Sequence, residues 1–133
     1  MAIAWTSEMA TGARTLDDDH RRIVDRSNAL LAAVAERAAP ADVDRALRSL
    51  GNAVLRHFTR DEDCAVRARC PAVEMNGEAH AEVIAILARF RLSYERSGAV
   101  PESAAELERE IGAWVARYLP GPFGDRLPCI PLG

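Results

Sequence analysis

An all-α, up-down-up-down four-helix bundle is the fold this sequence predicts, and three observations predict it. Apolar residues recur with helical spacing in four separate stretches, prolines and a glycine fall between those stretches, and no segment alternates with the period of a strand. The chain has 133 residues, enough for one domain and one core. Residues 1–133 are therefore read as a single domain, with an irregular N-terminal arm over 1–14, the bundle over 15–119 and a Pro/Gly-rich C-terminal tail over 120–133.

Residues 1–14 show no period, and Trp5 is expected to dock this arm onto the core. Thr15 is placed to cap the first helix, and Asp17, Asp18 and Asp19 suit the positive end of its dipole. The inward stripe of that helix reads Leu16, His20, Ile23, Ser27, Leu30, Leu31 and Val34. Ala38, Ala39 and Pro40 end it, and Pro40 opens the second helix, where a missing N–H costs nothing. The second stripe is Leu47, Leu50, Val54, His57, Asp61 and Cys64. Pro71 cannot continue a helix and biases Cys70 toward an extended conformation, so a turn is expected there. The third helix carries Val73, Asn76, His80, Val83, Ile84, Leu87, Phe90 and Tyr94, with Gly98 as its stop. Ser103 and Glu106 have the spacing of a capping box for a fourth helix, whose stripe is Leu107, Ile111, Trp114 and Tyr118 before Pro120 ends it.

The bulk composition narrows the function classes. Twenty acids and 17 bases spread along the chain give a net charge of -3 and no basic stripe, so no nucleic-acid partner is expected. No apolar run approaches the roughly 18–20 residues that cross a bilayer, and the N-terminus lacks a basic start and an apolar h-region. A cytoplasmic protein without membrane association is the expectation. Cys64, Cys70 and Cys129 form no C-x-x-C pair and are odd in number, which argues against a disulfide framework and for reduced, packed thiols.

Polar groups on the apolar stripes carry the functional signal. His57 and Asp61 are four apart, as are Asn76 and His80, so each pair shares one helix face. In an antiparallel bundle His20 at the start of the first helix, His57 and Asp61 near the end of the second, Asn76 and His80 at the start of the third, and Tyr118 at the end of the fourth all fall at the same end. Two readings stand. Imidazole with carboxylate suits iron, zinc or manganese, whereas a buried polar network would have Asp61 orienting neutral imidazoles.

The same residues carry a resemblance. Trp5, Gly12, Asp17 and His20 match without a gap the opening pattern of the bacterial hemerythrins, and His57, Phe58, Asp61 and Glu62 resemble that family's H-F-x-x-E-E motif. Cys70-Pro71 stands at its Tyr-Pro turn, Asn76 and His80 at its H-x-x-x-H pair, and Trp114 and Tyr118 at its W-x-x-x-H. The resemblance implies a hemerythrin-like four-helix bundle that holds two non-haem irons and binds dioxygen between them. Carried over residue by residue, it implies His20, His57, Asp61 and His80 as metal ligands, while Asn76 and Tyr118 replace imidazoles and Phe123 replaces an aspartate.

What is retained, His20, His57 and Asp61, is a two-histidine, one-carboxylate set of the kind used by mononuclear Fe(II) oxygenases. The expected cofactor is therefore non-haem iron, one or two ions, with zinc or manganese as alternatives. His80 is read as a fourth ligand or a neighbouring base. Tyr118 is read as a phenolate ligand or as a core Tyr bonded to His80 or a water, and Cys64 as a thiolate ligand or a packed thiol. Tyr118, Asn76 and Cys64 are the candidates for a catalytic role, and dioxygen or another small oxidant is the expected partner, with or without a small-molecule substrate. The alternatives are a sensor, storage or carrier module, and a metal-free bundle acting as an interaction domain. The tail, with Phe123, Leu127, Ile130 and Leu132, is expected to fold back over this end, the alternative being a frayed terminus, and Asp125 is read as solvated or as reaching inward.

Overall fold

The computed structural model describes residues 3–10, 14–67, 73–99 and 101–119; the side chains of residues 8, 15, 16, 60–67 and 73–76 lie outside that description. A 3-10 turn, Ser7–Met9, precedes four α-helices: α1 Arg14–Ala35, α2 Pro40–Arg67, α3 Val73–Ser97 and α4 Pro101–Tyr118. Each helix packs on the next and α1 closes on α4, which is the neighbour order of an up-down-up-down bundle. No strand occurs among the described residues. No helix there is long and apolar enough to cross a membrane.

The four stripes are buried largely as their spacing requires. Ile23, Ser27, Leu30, Leu31 and Val34 of α1 meet Leu47, Leu50, Val54 and His57 of α2, with Val83, Leu87 and Phe90 of α3 and Leu107, Ile111, Trp114 and Tyr118 of α4 completing the core. Ile84 departs from the expectation, because it is 44 % exposed while Ala79, Val83 and Ile86 face inward. The buried face of α3 runs through 79, 83, 86 and 90, and Ile84 lies about 100° round the helix from Val83. Leu16, Asp61, Cys64, Val73 and Asn76 lie outside the described side chains, and the Cys70-Pro71 turn and the tail lie outside the described residues.

Helix ends follow proline and glycine more closely than hydroxyl caps. Pro40 is the first residue of α2 and Pro101 the first of α4, each where the absent N–H breaks no intrahelical bond. Ser103 is consequently inside α4, two residues past its start and buried, rather than its cap. Thr15 is likewise inside α1, which begins at Arg14. Gly98 ends α3 with φ 71° and donates its N–H to the Tyr94 carbonyl at 2.7 Å, as expected of a left-handed cap. The end of α1 uses the same geometry without a glycine: Ala38 donates to Ala33 O at 2.9 Å and Arg37 to Val34 O at 3.2 Å, with Arg37 at φ 53°.

The arm is less irregular than its composition suggests. Asn28 of α1 clamps Ile3 by two bonds, accepting from its N–H at 2.7 Å and donating to its carbonyl at 2.9 Å. Trp5 packs against the core with the Arg21 guanidinium 5.0 Å from its ring centroid. Met9 is buried.

Two substitutions test this account. Arg37→Gly removes the Cβ strain of a left-handed residue and should raise stability by about 0.5–1 kcal/mol in urea unfolding, after allowance for the entropy glycine adds to the unfolded chain. Ser27 is fully buried and, among the described residues, its hydroxyl has no hydrogen-bond partner. Ser27→Ala should therefore stabilise by about 1 kcal/mol, and a loss of stability would show that the hydroxyl is satisfied after all.

Candidate metal centre

His20 and His57 are nearly sealed from solvent, at 1 % and 2 % exposure, and their rings meet edge to face with centroids 4.7 Å apart. His20 sits two turns into α1 and His57 three turns before the end of α2, so the antiparallel packing of the two helices brings them together. The ring contacts continue across the bundle. Phe58 lies 5.2 Å from His57, stacks on His80 of α3 at 4.9 Å with the planes 8° apart, and meets Trp114 of α4 at 6.0 Å. Trp114 in turn lies 5.9 Å from Tyr118. One connected layer of rings thus joins all three histidines and Tyr118, as the topology requires.

Hydrogen bonds decide which nitrogens a metal would find. His20 Nδ1 lies 2.9 Å from the Met9 carbonyl, which only accepts, so Nδ1 carries the proton and Nε2 carries the lone pair. His57 Nδ1 lies 3.7 Å from Oδ2 of Asp19, whose carboxylate is itself only 2 % exposed. Among the described residues that nitrogen has no hydrogen-bond partner. A carboxylate facing it favours a proton on Nδ1 and the lone pair on Nε2.

Other expected site residues divide into two groups. Asp61 is helical and one turn beyond His57, but its side chain, like those of Asn76 and Cys64, lies outside the description. Tyr118 is buried and donates its hydroxyl to the Glu82 carboxylate. That bond first, then burial, hold its phenol above the ordinary 10.0. A glutamate is thus one of its partners, which the sequence reading did not consider. Phe123 and Asp125 lie outside the described residues.

The described side chains fit part of a metal shell. His20 has Nδ1 on a carbonyl oxygen, the arrangement that fixes ligating histidines, whereas His57 Nδ1 faces a carboxylate at 3.7 Å, too far for a hydrogen bond. Among the described residues, however, no group of three or more His, Cys, Asp or Glu is close enough to hold a metal ion, so His20, His57 and His80 do not close a ligand set alone.

Three contributors escaped sequence reasoning. Asp19 had a usable signal, since it lies four residues before Ile23 and hence on the buried face. Phe58 had one too, four residues after Val54. The Met9 carbonyl had none, because a backbone acceptor leaves no trace in residue type.

Comparison with protein families matches residues 11–119 to the hemerythrin HHE cation binding domain. Comparisons with curated proteins and with solved structures return no match. The family match spans all four helices and every histidine of the ring layer, and the chain belongs to the hemerythrin HHE cation-binding domain family.

Proposed function

We propose that this bundle is a non-haem metalloprotein with an altered centre, holding one iron or other divalent metal at the His20/His57 end and presenting it to dioxygen or a related small oxidant. The observation that carries the reading is the buried imidazole pair with its outer nitrogens on Met9 and toward Asp19. Two adjacent histidines sealed in a core are costly to place there without polar partners, and a cation that takes an imidazole lone pair is one such partner.

In this reading His20 and His57 hold the metal through Nε2, Asp61 supplies the carboxylate, and His80, stacked on Phe58, stands as a further ligand or a proton-holding base. A bound iron supplies one-electron chemistry and a Lewis-acidic position open to a small oxidant. The chain supplies the rest: Met9 O fixes the His20 tautomer, Phe58 and Trp114 keep water from one side of the pair, and Tyr118 remains bonded to Glu82. The family resemblance implies imidazoles at 76 and 118, and with Asn76 and Tyr118 there instead the second metal position loses two nitrogen ligands. A single ion follows, because a second would depend on His80 and on oxygen donors shared with the first.

Elemental analysis of the chain purified without added metal should give close to one metal per chain; two tightly held irons with an oxo-bridge absorption would overturn the mononuclear reading. His57→Ala should abolish metal retention, since it removes one of two imidazoles at the site. Tyr118→Phe should retain the metal while losing the bond to Glu82. Metal lost in the Phe variant and kept in the Ala variant would reverse the assignment.

A further inference from the structure

Asp19 has no part in the ligand set above, yet its placement is harder to explain than that of its neighbours. Three aspartates stand in succession early in α1, and service to the helix dipole needs only Asp17, which lies in the first turn and is half-buried, with Asp18 exposed beside it. Asp19 is instead taken almost wholly out of water, which a carboxylate tolerates only with a partner. Its two oxygens are divided. Oδ1 lies 3.4 Å from an Arg22 guanidinium nitrogen at the surface, and Oδ2 faces Nδ1 of His57 at 3.7 Å. On the other side of that gap, His57 Nδ1 is a buried polar atom with no hydrogen-bond partner among the described residues.

We infer that Asp19 is a positioning residue of the metal centre, whose carboxylate accepts the Nδ1 proton of His57 and so turns Nε2 of that ring toward the cation. The inference rests on the metal reading above and deepens it. An imidazole lone pair directed at a carboxylate is repelled, so the proton belongs on Nδ1. Closing 3.7 Å to a charge-assisted bond takes a movement of about 1 Å, within the reach of one side-chain rotation. The outcome matches the treatment of His20, whose Nδ1 is already on a carbonyl at 2.9 Å. A carboxylate is the stronger acceptor of the two, so His57 becomes the more electron-rich ligand. Arg22 holds the far oxygen and keeps the carboxylate from swinging away.

The test uses the full chain with Zn(II) as a diamagnetic probe, zinc affinity by competition with a chelator, and imidazole 15N NMR before zinc is added. The His57 ring of the metal-free wild type should be the Nδ1–H tautomer. Asp19→Ala should weaken zinc binding about 10–100-fold. Asp19→Asn, whose side-chain oxygen still accepts from Nδ1–H, should recover most of that loss, a rescue that mere filling of space would not produce. An Nε2–H tautomer in the wild type overturns the inference, and so does an Ala variant that binds zinc as the wild type does. An Asn variant as weak as Ala also overturns it, since the carboxylate would then be a ligand itself. Should the Ala variant fail to fold, the wild-type tautomer and the Asn affinity decide. A wild type that takes up no zinc would sink the metal reading, while the tautomer would still decide the role of Asp19.

Discussion

Two imidazoles removed almost completely from water set the terms for this end of the molecule. Each ring carries a donor and an acceptor, and a buried polar atom left without a partner costs about 1–3 kcal/mol. The helices cannot provide for His20 by themselves, because their carbonyls are engaged in their own ladders. The acceptor comes from outside the bundle, at the Met9 carbonyl. That makes the arm part of the site. Its position is fixed by the two Asn28–Ile3 bonds and by Trp5 against the core and Arg21, so three residues remote from the histidines determine where one acceptor oxygen stands.

The ring layer then transmits that order across the bundle. Phe58 touches His57, His80 and Trp114 at once, so the imidazole of α3 is placed by an aromatic side chain of α2 rather than by a bond to the other histidines. Trp114 donates its indole N–H to the carbonyl of Ala79 at 3.0 Å, which ties α4 to the residue just before His80. Tyr118 closes the layer but turns its hydroxyl to Glu82, so α4 supports the centre by packing while its polar group serves another carboxylate. The helix therefore keeps its structural share of the site with no imidazole at position 118.

How much of this could be read in advance depended on the kind of constraint. Burial at a fixed helical period is written in residue types, which is why the stripes from His20 to Val34 and from Leu107 to Tyr118 are buried as expected wherever they are described. Proline at a helix start is equally legible, as Pro40 shows. Ser103 misled because a capping box is only a local preference, and Pro101 two residues earlier overrides it. Ile84 misled because α3 has apolar residues at both 83 and 84, and periodicity alone does not say which faces inward. At the site, the convergence of His20, His57, His80 and Tyr118 followed from topology, but their partners did not. The acceptor for His20 Nδ1 is a backbone oxygen, the carboxylate facing His57 was hidden in a run of three aspartates, and one partner of Tyr118 is a glutamate on the outer face of α3.

A division of labour along the bundle axis separates what holds the fold from what lines the ring layer. Away from the ring layer the core is aliphatic, with Ile23, Leu30, Leu50, Val54, Val83 and Ile111 almost fully buried. Each contributes about 1.5–3 kcal/mol relative to exposure, whether or not a metal is bound. The polar ties between helices, Arg26 to Ser49, Arg91 to Asp44 and Arg89 to Glu110, also fall outside the ring layer and add little individually, being largely solvated. Small zinc domains, by contrast, have too little core to fold without their ion. Here the aliphatic part carries the fold, so the residue types at positions 76 and 118 can vary without taking away what keeps the four helices together. His20 and His57 are more constrained, because what stands behind them in the core is polar, the Met9 carbonyl on His20 and the Asp19 carboxylate facing His57.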